Sequence, residues 1–148
     1  MSEKLPNFKI KTGFENMDMN HIHKCLSLDS YWSKDIPFET VKLAFKNSFC
    51  VAIFENENQV GFARLVTDYA TFAYLADVFV DSKFRGKSYG KQMVAFIMDQ
   101  DWVKNLRRLM LATQDAHELY HKYGFKTLSF PDRILEITKP GMYTKMKK

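Results

Sequence analysis

The segment Arg85-Gly86-Lys87-Ser88-Tyr89-Gly90-Lys91 lies between an apolar run ending at Val80 and a helical apolar pattern beginning at Tyr89. A loop at the start of a helix offers backbone N–H groups with no intrahelical partner. The helix dipole adds positive potential there, and glycine lets a ligand come close to the chain. From Asp81 to Lys91 four basic side chains, Lys83, Arg85, Lys87 and Lys91, stand against one acid. That balance favours a polyanion over a lone carboxylate, and a phosphate-bearing ligand is the natural occupant. A second group, His117-Glu118-Leu119-Tyr120-His121, fits the H-E-x-x-H pattern in which two histidines one helical turn apart share a zinc ion. The third is Asp77, the only charge in the apolar stretch from Thr71 to Val80. A carboxylate so placed is a candidate general base, and equally a structural partner for Arg64 or a backbone donor.

Each short pattern has to be weighed against its missing members. The nucleotide pattern G-x-x-x-x-G-K-[ST] finds Gly86-Lys87-Ser88, but Asp81 stands where its first glycine belongs, and a carboxylate there repels phosphates. The zinc string extends through Gly124 and then meets Thr127 in place of its third histidine. Helical phase adds to the objection. Ala116, Leu119, Tyr120 and Tyr123 share one apolar face, which leaves His117, Glu118, His121 and Lys122 on the polar side. The histidines read as solvated, with no metal assigned, and a zinc metallohydrolase built on His117, Glu118 and His121 is kept as an alternative.

A different pattern absorbs both segments. Arg85, Gly86, Lys87, Ser88, Tyr89 and Gly90 resemble [Q/R]-x-x-G-x-[G/A], the acetyl-CoA pyrophosphate loop of the GNAT N-acetyltransferases, with Ser88 in place of the first glycine. Serine is small, keeps its N–H and can itself hydrogen-bond a phosphate. Ala116 to Phe125 is similar to the A-x-x-[LF]-Y-x-K-x-G-F segment of the same family, although an asparagine common upstream of that segment is here Thr113. The resemblance implies an α/β (α+β) fold. Its mixed, mostly antiparallel central sheet is flanked by about four helices and splayed between strands 4 and 5. It implies acetyl-CoA as co-substrate, its pantetheine arm on the backbone of Val78, Phe79 and Val80 and its pyrophosphate on the N–H groups from Arg85 to Lys91. It further implies that Tyr120 protonates the departing thiolate as a primary amine attacks directly in a ternary complex. Asp77 is the candidate base. Tyr31 and Trp32 are candidates for the acceptor pocket and equally for a loop anchor. A non-catalytic acyl-CoA-binding protein is the other alternative.

The elements that must position these residues can be read from hydrophobic periodicity. With 148 residues, 46% of them hydrophobic and 15% aromatic, the chain has enough apolar side chain for one domain, 1–148, with a sizeable core. Phe8 to Lys11 alternates as a half-buried strand. Met17 to Leu28 and Glu39 to Asn47 have helical spacing around a loop from Asp29 to Pro37. Phe49 to Phe54, Gln59 to Thr67 and Thr71 to Val80 predict an antiparallel meander whose third strand, apolar on both faces, is central. Tyr89, Met93, Phe96 and Ile97 give a helix to about Asp101. Leu109 to Thr113 then follows as a strand in a right-handed parallel crossover. Asp115 to Tyr123 is a helix with Asp115 and Glu118 spaced as a capping box and Gly124 as its left-handed C-terminal residue. Phe125 to Leu128 and Ile134 to Ile137 read as two more strands.

Cys25 and Cys50 stand alone and read as core thiols. No signal-peptide or membrane-spanning run is present, so a soluble, cytoplasmic protein is expected. The net charge of +5 raises nucleic acid as a partner. Much of it, however, sits in the loop and in Lys139, Lys145, Lys147 and Lys148, without interleaved aromatics, and a phosphate-bearing ligand explains the loop with fewer assumptions. A homodimer is left open.

Overall fold

The computed structural model describes residues 7–147. Its centre is a five-stranded sheet in the order β1 (Phe8–Thr12), β2 (Phe49–Glu55), β3 (Asn58–Thr67), β4 (Phe72–Val80) and β5 (Arg108–Leu111). The first four strands are antiparallel neighbours, and β5 runs parallel to β4. The expected meander and crossover are therefore present. β4 lies inside the sheet, as its two apolar faces require.

Alternation along β2 shows how the sheet divides two cores. Val51 and Ile53 point to one face, where α3 (Tyr89–Met98) lays down Tyr89, Met93, Val94 and Ile97. Cys50, Ala52 and Phe54 point to the other face. There they meet Ile22 of α1 (Met19–Lys24) and Val41 and Phe45 of α2 (Phe38–Lys46). A period of two along the strand against 3.6 along each helix is the whole origin of this sandwich. Gly61 lets the α3 face come close, because a Cβ there would fall 3.0 Å from Ile53 Cγ2 and 3.1 Å from Met93 Cε.

Several local expectations need correction. The first helix is shorter than its pattern. It starts at Asp18, whose side chain accepts from the His21 N–H, and after Lys24 it widens into a π-helical turn over Cys25–Asp29. Helices number six rather than about four among the described residues: α4 (Asp101–Lys104), α5 (His117–His121) and α6 (Met142–Met146) are all short. The capping box does not form at α5, where Thr113 Oγ1 instead accepts the Ala116 N–H at 3.1 Å. Its C-terminal end behaves as expected. Gly124 has φ +97°, its N–H bonds His121 O at 3.1 Å, and the Phe125 N–H bonds Tyr120 O at 3.2 Å. This is a Schellman motif, and the accompanying apolar contact is Tyr120 against Phe125, with centroids 5.8 Å apart.

The strands expected at Phe125–Leu128 and Ile134–Ile137 are absent. A strand needs a neighbouring backbone, and the sheet order stops at β5. The segment instead carries a 3₁₀ turn at Pro131–Arg133. Leu135 and Ile137 are 91% and 93% exposed, so local alternation had no face to serve.

Candidate active site

The site begins with a defect in β4. Arg64 pairs with Ala76 and Phe62 pairs with Phe79, so Asp77 and Val78 together face the single residue Ala63. This is a β-bulge, and its first residue, Asp77, has φ +55°, a conformation that aspartate tolerates better than most side chains. The parallel pairing with β5 ends at Leu75 and Leu111, five residues before β4 itself ends. Beyond that point the strands part. A cleft of about 810 Å³ opens between Ala76–Val80 on one side and Leu111–Ala116 with Tyr120 on the other. The backbone of Val78, Phe79 and Val80 lines it. The Phe79 side chain is turned away and stacked on Phe62 with centroids 5.5 Å apart, which leaves its main chain for a ligand.

Past Val80 the chain turns through a 3₁₀ segment, Ser82–Phe84, into the basic loop. Gly86 and Ser88 both have positive φ, +83° and +68°, and Ser88 is the residue from which α3 starts. Left-handed residues of this kind let a short loop turn tightly into the start of a helix. Among the described residues, none of the N–H groups from Arg85 to Lys91 donates a hydrogen bond to the protein. Arg85 lines the cleft, with Nε 3.0 Å from Val80 O and its guanidinium over the Phe79 ring. Gly86 to Lys91 do not line the cleft and lie beyond its Arg85 end. A Cβ on Gly90 would sit 3.8 Å from Val80 Cγ2, an ordinary contact, in keeping with a pattern that admits alanine there. Tyr89 offers a ligand only its N–H, because its ring is buried under the sheet and its hydroxyl donates to Glu55. Lys87 reaches the same carboxylate at 3.5 Å. Glu55 is a positioning residue that the sequence pattern did not mark. Unpartnered amides, positive charge and an adjoining cleft are what a coenzyme A diphosphate and its arm require, and these residues fit that group.

On the opposite wall Tyr120 is 7% exposed and lines the cleft. Burial first, and the Asp115 carboxylate second, hold its phenol above the ordinary range, so it stays protonated at neutral pH. Its hydroxyl makes no hydrogen bond to any described residue, whereas Tyr89 bonds Glu55 and Tyr123 bonds Lys91 O at 3.2 Å. The loop between α1 and α2 brings Tyr31 and Trp32 to the cleft, ring against ring at 4.9 Å. Asp77 is held at both oxygens, by Trp32 Nε1 at 2.7 Å and Arg64 Nε at 2.6 Å.

His117 and His121 stay on the exposed side of α5, with ring centroids 6.4 Å apart, and no third ligand joins them among the described residues. The set that does converge is His21, Cys25 and Asp81. Here His21 Nε2 lies 3.3 Å from Asp81 Oδ2 and 3.5 Å from Cys25 Sγ. Gln59 decides its state. Its Oε1 accepts the Asp18 N–H at 2.7 Å, so its amide N–H faces His21 Nδ1, and the imidazole proton sits on Nε2, where a metal would need the lone pair. Burial first, then Asp81, pushes the Cys25 thiol up to about 12. The trio is held as a hydrogen-bonded cluster joining α1 to the start of the loop. Among the described residues no helix is long and apolar enough to cross a membrane.

Residues 19–125 match the profile of the acetyltransferase (GNAT) family. A crystal structure from Xanthomonas campestris pv. campestris, of a protein assigned to the same family, is 42% identical. It covers 95% of this chain and 99% of its own, with a TM-score of 0.92. A Gibberella zeae relative classed as an acetyltransferase is 28% identical over 137 residues, 78% of this chain and 77% of its own. A Clostridium acetobutylicum structure solved with acetyl-CoA is 15% identical, with a TM-score of 0.69 over 89% of this chain and 96% of its own, a likeness of fold. The splayed strands and the turn of free amides thus occur in a chain most of whose length the profile spans, and this protein belongs to the GNAT family of acetyltransferases.

Proposed function

We propose that the protein transfers an acetyl group from acetyl-CoA to a primary amine by direct attack in a ternary complex, with Tyr120 as the general acid. The observation that carries this reading is Tyr120 itself, a phenol buried in the cleft wall, kept neutral, and free of any partner among the described residues. Acetyl-CoA supplies the acyl carbon as a thioester. The amides from Arg85 to Lys91 hold the diphosphate, and the backbone of Val78 to Val80, freed by the loss of β5 pairing, receives the arm and offers an N–H to the carbonyl oxygen as charge develops there. The amine's electron pair forms the C–N bond as the C–S bond breaks. Tyr120 passes its proton to sulfur, and the surplus amine proton goes to water.

Asp77 supports the proton's exit without standing free. Two of its roughly four lone-pair sites are taken by Trp32 and Arg64, and the remaining ones can order that water. The test is Tyr120→Phe. The expected result is a fall in kcat of about a hundredfold or more with acetyl-CoA affinity within about twofold of wild type. Unchanged kcat removes Tyr120 from the chemistry. Acetyl-CoA binding with no turnover in any amine panel favours the non-catalytic acyl-CoA-binding alternative.

A further inference from the structure

The arm that joins α5 to α6, residues 126–141, is fastened at both ends and exposed at every position between them. At its start the Phe125 ring packs on Tyr120, with centroids 5.8 Å apart. At its end Tyr143 of α6 packs against the core on the α1 and α2 face. Asp35 there accepts from Thr144 Oγ1 at 2.7 Å and from Lys147 Nζ at 3.1 Å. The arm so held presents Leu128, Phe130, Ile134, Leu135 and Ile137 to water. The main-chain groups of Leu135, Glu136, Ile137 and Thr138 make no hydrogen bond to any described residue. Apolar side chains left in water contribute nothing that offsets the entropy of ordering them, and a cluster of them marks an interaction surface.

The sheet ends in a complementary edge. β5 is its last strand and pairs with β4 on one side alone. Leu109 and Leu111, two residues apart, are half-buried beside the core under α3. Leu135 and Ile137 have the same spacing, so one more strand would extend that apolar face. Arg107 and Arg108 at the start of β5 are exposed, as are Asp132 and Glu136 of the arm, and none of the four forms an ion pair among the described residues. Arg133, the one base between those two acids, lies over the Phe130 ring at 3.8 Å. Edge and arm thus match in free backbone, apolar spacing and charge. One chain carries both halves, yet with both ends of its arm fastened it does not bring them together. A second copy can do so with either anchor unchanged, and the exchange is reciprocal, which is what a closed two-fold dimer requires. The geometry points to a homodimer in which residues 134–137 of each copy add a sixth strand at the β5 edge of the other. Leu135 and Ile137 leave water there, and Asp132 and Glu136 approach Arg107 and Arg108 of the partner subunit. This inference is independent of the acetyl-transfer reading.

Sedimentation equilibrium of the full-length protein tests this, and the expected mass is twice the 17.4 kDa of the chain. The double substitution Leu135→Lys with Ile137→Lys changes side chains that are exposed in the single chain, so the circular dichroism spectrum should stay that of wild type. Its dimer Kd should rise at least about a hundredfold, because each copy loses two side chains from the interface. Hydrogen exchange read by mass spectrometry is the second measurement: the amides of residues 135–138 are protected in wild type and exchange freely in the variant. A wild-type monomer at about 100 μM, well above the Kd of a specific dimer, overturns the inference. It does so whether the arm amides are then protected by the chain's own β5 or left to another partner. A wild-type dimer with unprotected arm amides, or one whose Kd the double substitution leaves unchanged, overturns it as well, because the copies then meet through a different face.

Discussion

Trp32 Nε1 donates to Asp77 Oδ1 at 2.7 Å, and this bond joins the loop between α1 and α2 to the bulge in β4. The second Asp77 oxygen takes Arg64 Nε at 2.6 Å, and Arg64 Nη1 continues to Ser48 Oγ at 3.1 Å, so three elements meet on one carboxylate. The side chains of Arg64 and Asp77 are only 19% and 9% exposed, which makes the missing charge costly when one partner is removed. Asp77→Asn keeps the size and the tolerance of the +55° φ but loses the charge. The expected cost is about 1–3 kcal/mol in urea denaturation. Asp77→Val adds roughly 1–2 kcal/mol more, because a β-branched residue is poorly accommodated at positive φ. In a Trp102→Phe background Trp32 is the only indole, and its emission reports the loop directly. An Asp77→Asn protein with wild-type stability and unchanged Trp32 emission would show that this carboxylate positions nothing.

Ser88 occupies a left-handed conformation, φ +68°, at the place where the family pattern carries glycine. Strain from its Cβ costs on the order of 1 kcal/mol, and glycine would relieve it while giving back a similar amount of unfolded-state entropy. Ser88→Gly should therefore leave stability within about 1 kcal/mol of wild type and acetyl-CoA affinity within about twofold. Ser88→Glu keeps the N–H but places a carboxylate among the amides proposed to hold the diphosphate. Its acetyl-CoA Kd should rise at least about tenfold, the equivalent of 1.4 kcal/mol. Calorimetry on the two variants separates backbone shape from charge, and equal affinities would remove the loop from cofactor binding.

What the chain disclosed beforehand follows from how local each cause is. The amides of Arg85 to Lys91 are a property of one strand-loop-helix boundary, and the Gly124 cap is a property of one turn, so both could be read in sequence. The bulge could not, because it is a mismatch between Ala63 and the pair Asp77 and Val78 that exists only once β3 and β4 are in register. For the same reason Asp77 could be singled out but its two partners could not be chosen: Arg64 was one option among others, and Trp32 lies 45 residues away. Asp115 suggested a helix cap, yet Thr113 serves the Ala116 N–H and leaves Asp115 to the cleft. Phe125 to Ile137 misled in the opposite direction, since alternation states what a strand could bury and not whether a neighbouring backbone exists.

Tyr89 and Glu55 offer a test that needs no ligand. The ring is fully buried between α3 and the sheet, and its hydroxyl donates to the Glu55 carboxylate, which also receives Lys87 at 3.5 Å. Burial first, then the hydrogen bond and the charge of Glu55, push the phenol up from 10 to about 12. The neutral phenol is therefore favoured by folding. Its contribution is fully present below pH 10 and is lost as the pH rises toward about 12, where the folded state would have to release the proton. Urea denaturation at pH 8.5 and pH 11, ~1.5 units below and ~1 unit above the ordinary tyrosine range, should show wild type losing more stability across that interval than Tyr89→Phe. At the lower pH the variant should be weaker by about 0.5–1.5 kcal/mol, the net value of one hydrogen bond. The same variant frees Glu55 to hold Lys87 alone, which draws a basic side chain away from the loop. A modest rise in acetyl-CoA Kd, about twofold to threefold, is the expected companion effect. Identical pH dependence in the two proteins would mean that Tyr89 ionises in the folded state as freely as in the unfolded chain, and that the bond to Glu55 does not anchor the start of α3.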